Sequence, residues 1–205
     1  YKTIEEIEDQ FGELQGVTYQ ESLENLRDAI NELSKEPSST TRRSSLIQSA
    51  SAFLTRSQAV YKGLTDYQAT LNIEVENMVN KINKLGKEIF DLNKQIAKIE
   101  SVGLEDANDY RDARDNALDE LSGYINISYF EEPSGEVVVN AEGVPFVTLT
   151  GTLEMSMRTT EGTMLHIPTW PAFDRDVYPE SVMNKITDNY DKAELKGLLL
   201  ARGSI

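Results

Sequence analysis

The sequence predicts an α+β protein: a long-helix antiparallel coiled-coil bundle followed by a small antiparallel β part. Two observations carry that prediction. From Ile47 to Ile99, alternating steps of three and four meet an apolar side chain at every stop except Ser57 and Gln68, and from Leu71 onward nothing interrupts the series. A repeat averaging 3.5 residues marks a helix whose apolar seam faces partner helices under slight left-handed supercoil. At 1.5 Å per residue this stretch makes a rod of roughly 80 Å, far longer than a typical globular helix. After Tyr124 the period changes: Ile125, Ile127 and Tyr129 alternate with Asn126, Ser128 and Phe130, as strands do. The predicted division is a helical rod domain over 1–123, with helices at about 3–15, 18–36, 40–101 and 107–123. A β-rich part with a short C-terminal helical segment fills 124–205.

Taken in order, Ile4, Ile7, Phe11 and Leu14 have helical spacing in an acidic segment that Gly16 ends. Thr18 and Glu21 form a capping box, and Leu23, Leu26, Ala29, Ile30 and Leu33 give the next helix one apolar stripe up to Pro37. That helix is long enough to lie antiparallel along the first half of the rod. There Leu46, Phe53, Val60 and Tyr67 widen the apolar face. Past Leu71 the flanking positions Glu74, Lys81, Glu88 and Gln95 turn polar. The thinner seam of Leu71–Ile99 is therefore expected to stay partly open for a missing terminal helix or a neighbouring subunit. Residues 37–41 are the turn and N-cap region of the long helix. Gly63 and Gly86 within it are taken as tolerated surface glycines, and Gly103 as its C-terminal cap.

The acidic run 105–115 invites a calcium loop. Starting from Asp106, however, loop position 5 is Tyr110 and position 6, which demands glycine, is Arg111. The structural reading fits better: Asp106 or Asn108 caps a helix carrying Tyr110, Ala113, Ala117, Leu118 and Leu121 on one face, returning antiparallel along the rod. Beyond it, turns at Pro133–Gly135, Gly143 and Glu161-Gly162 separate four or five short strands, read as one meander. A short helix is expected from Pro179 to about Thr187, and Leu195–Ala201 is an apolar run.

Composition narrows function. A formal net charge of −15 over 205 residues disfavours nucleic acid and anionic membrane, both polyanions. With no cysteine there are no disulfides or thiolate metal sites. Hydrophobic content of 39% and charged content of 27% suit an elongated folded protein more than a compact enzyme. The chain opens without Met and mid-pattern, which predicts a fragment of something longer, and its first residues are no signal peptide. The one histidine, His166, sits on an apolar strand and is read as a packed or surface side chain. Trp170 could serve as a stacking platform for sugar, but core filling is the better reading. No catalytic, cofactor-binding or metal-binding residue is assigned.

Several stretches then become specific. Asn72-Ile-Glu-Val75, Val79-Asn80-Lys-Ile82-Asn83-Lys-Leu85 and Glu88-Ile89-Phe-Asp-Leu92-Asn93-Lys-Gln95-Ile96 resemble the long-helix signature of the flagellar hook-associated protein 1 family, the hook–filament junction proteins. Ala107-Asn108-Asp109, Arg111-Asp112-Ala-Arg114-Asp115 and Asp119-Glu120-Leu121-Ser122 resemble its second signature. Leu26–Leu33 with Glu36-Pro37-Ser38, the Glu136–Gly143 strand and turn, and Leu195–Arg202 are similar to further family segments. The resemblance implies a structural, non-enzymatic subunit of the bacterial flagellum that joins hook to filament by subunit packing. It implies a ring of copies of itself, hook protein and the second junction protein as partners, an extracellular location, and export by the flagellar type III route without a cleaved signal peptide. It also implies an outer fragment lacking both terminal helices. The alternative from another class is a secreted carbohydrate-binding or glycoside-hydrolysing module carried on a coiled-coil stalk.

Overall fold

The computed structural model describes residues 17–101, 107–159, 165–179 and 193–203. The helix expected over 3–15, the Gly103 cap, the Glu161-Gly162 turn and the helix expected after Pro179 lie outside the described residues. The chain divides into two compact units, one through Ala69 and one from Thr70 onward. That division falls inside a single helix, whereas helical sequence gives way to strand sequence at 123/124. Secondary structure changes in one place and packing in another.

The first unit holds α1 (Val17–Lys35) and the opening half of α2 (Thr40–Glu100). Because α1 starts at Val17, Thr18 lies inside the helix and not at its cap. Between the helices, Ser39 Oγ accepts the Arg42 backbone N–H at 3.4 Å, the N-cap arrangement expected of this turn. Arg42 Nη1 donates to the Glu32 carbonyl at 2.7 Å, one of the carbonyls that the end of α1 leaves unpaired. Arg43 Nε donates to the Pro37 carbonyl at 2.9 Å and holds the turn from its other side. The helices run antiparallel: the Tyr19 and Phe53 rings lie 5.6 Å apart at one level, and Glu32 meets Arg42 at another. Ser22 and Ala29 of α1 are buried, and Leu46, Phe53 and Val60 of α2 are half-buried. The heptad positions Ile47, Leu54 and Tyr61 are 69%, 59% and 74% exposed, so α1 packs on the stripe beside the heptad seam.

From Leu71 the seam behaves oppositely. Leu71, Val75, Ile82, Leu85, Ile89 and Ile96, with Val79 beside the seam, are at most 2% exposed. Most of the seam is closed, because α3 (Asn108–Tyr124), two small sheets and α4 (Glu194–Gly203) build one core on it, while its positions Met78, Leu92 and Ile99 stay half-buried. α3 returns antiparallel, as expected: Arg111 meets Glu100, Arg114 meets Asn93, and Glu120 meets Lys81. Its N-cap position is Ala107, which makes no side-chain cap. The Ala107 N–H is taken instead by Glu100 Oε1 at 3.2 Å, from the last turn of α2.

Among the described residues the strands form two three-stranded antiparallel sheets, not the single meander expected of four or five strands. The first holds β1 (Ile127–Glu131), β2 (Val137–Ala141) and β3 (Val144–Val147); the second holds β4 (Ser156–Thr159), β5 (His166–Trp170) and β6 (Arg175–Asp176). Glu142 and Gly143, with φ of 49° and 71°, make the two-residue turn whose twist suits a tight hairpin. The chain leaves the first sheet where Thr148 Oγ1 donates to the Gly151 carbonyl at 2.7 Å and accepts the N–H groups of Thr150 and Gly151. Those bonds close a local turn, after which Thr152 makes an isolated antiparallel bridge back to Val147. Val137, Val139 and Ala141 alternate inward from β2, and the Phe146 ring lies directly on Gly86. A Cβ there would come 2.4 Å from the ring carbon Cζ. Gly86 is therefore a buried contact point and not a tolerated surface glycine.

Candidate functional site

The described residues bring together no set of three His, Cys, Asp or Glu side chains fit to hold a metal ion. Their polar chemistry converges on the face of α2 that meets the strands. Asn93 is 1% exposed. Its Nδ2 donates to the Val137 carbonyl at 2.7 Å and its Oδ1 accepts the Val137 N–H at 3.0 Å. Asn83 does the same for Met155, with bonds of 2.8 and 2.9 Å. Asn72 Oδ1 accepts the His166 N–H at 3.3 Å and Arg202 Nη1 at 2.9 Å. An asparagine amide carries the same donor and acceptor as a peptide unit. Each of Asn83 and Asn93 thus stands in for a strand partner and lets a helix satisfy backbone that would otherwise be buried unpaired. The near-regular spacing of 72, 83 and 93 keeps all three on one side of α2, since about eleven residues make three turns.

A second layer joins the ends of three elements. Arg111 grips Glu100 with Nε and Nη2, both at 2.7 Å, while its Nη1 reaches Glu131 at 2.8 Å. Arg114, 2% exposed, donates Nη1 to the Gly135 carbonyl at 2.6 Å and to Asn93 Oδ1 at 3.2 Å, and Nη2 to Glu131 at 3.2 Å. The end of α2, the start of α3 and the β1–β2 turn are so locked into one network. Gly135, at φ +82°, sits against it; a Cβ there would come 2.9 Å from both Arg111 and Glu100. The Arg111 hydrogen bonds, followed by the Ala107 N–H, hold the Glu100 carboxyl down at about 2. The same pairing, with Glu100 first and Glu131 second, raises the Arg111 guanidinium further. Three lysines of α2 add outer ties at 2.8 Å: Lys81 to Glu120, Lys87 to Glu154 and Lys94 to Glu136. The Lys94 bond lowers the Glu136 carboxyl.

Of the residues weighed in the sequence, His166 enters through its backbone, which contacts Asn72 and Arg202. Trp170 is fully buried, edge-on to Phe146 at 5.7 Å, and fills the core, so it offers no open face to a sugar. Asn83 and Asn93 carry the amide clamps, while Asn80, in the same signature, is exposed. Sequence reasoning missed the role of Arg111 and Arg114. Their signal was visible as two arginines three apart on an otherwise acidic helix, downstream of Glu100.

These contacts tie backbone and element ends together. Residues 4–205 match the family model described as the flagellar hook-associated protein FlgK helical domain. Over 159 residues the chain is 26% identical to flagellar hook-associated protein 1 of Bacillus subtilis (strain 168), covering 77% of this chain and 31% of that protein. The solved structure of the flagellar hook junction protein FlgK from Burkholderia pseudomallei superposes with a TM-score of 0.81 at 17% identity, covering 98% of this chain and 36% of that one. At that identity the superposition speaks for the fold alone. The chain spans about a third of the length of these relatives. The amide and arginine clamps that hold the strands on α2 fall within the residues that the family model matches, and by that match the chain belongs to the flagellar hook-associated protein FlgK helical-domain family.

Proposed function

We propose that this chain is the helical-domain portion of a non-enzymatic structural subunit that joins the flagellar hook to the filament. The observation that carries the reading is the family match over residues 4–205. The clamps on α2 support it physically: buried amides and guanidinium groups are spent on fixing backbone, and a stiff unit of this kind suits a protein whose work is packing. The subunit acts outside the cell, reaches its place by the flagellar type III route without a cleaved signal, and assembles as a ring of copies between hook protein and the second junction protein. Within this reading, residues 1–123 serve as the helical rod domain and 124–205 as the β-rich part set on it.

The test is genetic and structural together. The source bacterium is deprived of the gene and then given back the full-length protein, either unchanged or with Ile82→Asp. The unchanged protein restores filaments seen by electron microscopy and spreading in soft agar. The variant leaves hooks without filaments. Normal filaments in the deletion strain would sink the proposal.

A further inference from the structure

The first sheet has two outer edges, and the fold treats them differently. On the β3 side the Phe146 carbonyl accepts the Leu153 N–H at 2.8 Å, and Thr152 bridges back to Val147. Past the end of β3 the Val137 N–H and carbonyl are taken by Asn93. The β1 side receives nothing comparable. β1 pairs with β2 from Ile127 opposite Ala141 to Glu131 opposite Val137 without a break in register. Just beyond its two ends the Glu142 N–H donates to the Asn126 carbonyl at 2.9 Å, and the Glu132 N–H donates to the Glu136 carbonyl at 2.8 Å. Hydrogen-bonded and non-bonded pairs alternate along an antiparallel ladder, so Asn126, Ser128, Phe130 and Glu132 direct their backbone groups at β2. The N–H and carbonyl groups of Ile127, Tyr129 and Glu131 therefore point away from the sheet, and no described residue pairs with them.

Open edges are commonly blunted by proline, lysine, a bulge or a covering element. β1 has none of these: it reads Ile127-Ser-Tyr-Phe-Glu131, and Tyr129 and Phe130 are 57% and 52% exposed. Unpaired backbone groups in strand register are matched by another extended backbone. Charge states what that backbone carries. Ile127, Tyr129 and Glu131 share a side of the sheet with the buried Val137, Val139 and Ala141. That side is where α3 lies, since Glu131 meets Arg111 and Arg114, which already balance its charge. Asp115 and Asp119 follow Arg111 at steps of four along α3 and are exposed, so this flank of the edge is acidic. Pairing β1 with the β1 of a second copy would set two such flanks side by side, in a chain whose net charge is already −15. We propose that the β1 edge binds, by strand addition, an extended segment of another protein in which lysine or arginine alternates with apolar residues. The basic side chains face Asp115 and Asp119, and the apolar ones lie beside Phe130 on the other side of the sheet.

The probe is a short peptide alternating valine with lysine, blocked at both ends and added to the full chain; its counterpart carries glutamate in place of lysine. Amide hydrogen exchange is followed by nuclear magnetic resonance. With the lysine peptide the amides of Ile127, Tyr129 and Glu131 are expected to exchange on the order of fivefold more slowly, while those of the second sheet do not change. The glutamate peptide is expected to leave all of them as they were. Tyr129→Pro removes an outward N–H without touching the β1–β2 ladder, so Ser128 and Phe130 stay protected while the response to the lysine peptide is lost. Tyr129→Thr keeps that N–H and keeps the response. No slowing with the lysine peptide, equal slowing with both peptides, or an undiminished response in Tyr129→Pro overturns the proposal. Protection of the same amides that grows with protein concentration before any peptide is added would mean that a second copy holds the edge, and overturns it as well.

Discussion

One helix meets two fates in this protein. In the first unit the heptad positions Ile47, Leu54 and Tyr61 of α2 are largely exposed, while from Leu71 the same seam is at most 2% exposed at six positions. Apolarity distinguishes the two only in part: Ser57 and Gln68 interrupt the first stretch, yet large aliphatic or aromatic side chains occupy Ile47, Leu54 and Tyr61 as they do the second. The difference lies in what the chain returns to each. The first half receives one short helix, seated a residue off the seam. The second receives a helix, two sheets and a further helix, and its three asparagines satisfy the backbone that those sheets bring down. A heptad repeat states that a seam exists and leaves open what covers it.

The largest expected effect is at the buried seam. Ile82→Asp or Ile89→Asp places an unpaired carboxylate in the core and is expected to cost about 4 kcal/mol or more, read as loss of the cooperative urea transition of the second unit. The same change at Leu54 is expected to cost on the order of 1 kcal/mol. Equal losses at Leu54 and Ile82 would erase the contrast between the halves. Asn93→Ala comes next. It strips the Val137 N–H and carbonyl and one acceptor of Arg114, for an expected cost of about 2–3 kcal/mol by chemical denaturation. Gly86→Ala follows, at about 1–3 kcal/mol from overpacking against Phe146, even though alanine favours helix by about 1 kcal/mol. Gly123→Ala, with nothing near its Cβ, is expected to be neutral or mildly stabilising, and the pair separates packing from propensity in a thermal melt.

The smallest effect sharpens the picture by pH. Glu100 titrates at about 2 in the fold against an ordinary value of 4.5, so its ionised form is the one the fold favours. The stability that it contributes is fully present above pH 4.5 and is lost as pH falls toward 2. In Glu100→Gln the fall of the urea midpoint between pH 5 and pH 3 is expected to be shallower than in the parent chain. Identical slopes would mean that the Arg111 pairing does not bear on folding.

Much of this architecture was legible in the residues. The shift from a period of 3.5 to a period of two located the change from helix to strand, and the returning helix at 107–123 fell where Ala117, Leu118 and Leu121 spaced it. Gly143 announced a turn, and the structure places it, with Glu142, at the β2–β3 hairpin. The clamps were half legible: Asn83 and Asn93 stood in the family signature, yet nothing local distinguishes them from the exposed Asn80. Gly86 misled for the same kind of reason. A helix-interior glycine costs the same in any sequence, and its justification sits sixty residues away in Phe146.

By itself, then, the sequence determined the α+β class, the long helix and the antiparallel returns, because periodicity and turn chemistry act over a few residues and are written locally, and the family through the resemblance of its long-helix segments. Only the tertiary structure decided which stretch of the seam is closed, why Gly86 must be glycine, how six strands part into two sheets, and that Arg111 and Arg114 bind the ends of three elements together. Those outcomes depend on contacts between residues far apart in the chain, where packing volume and unpaired backbone groups arbitrate among local patterns that are each satisfiable in several ways.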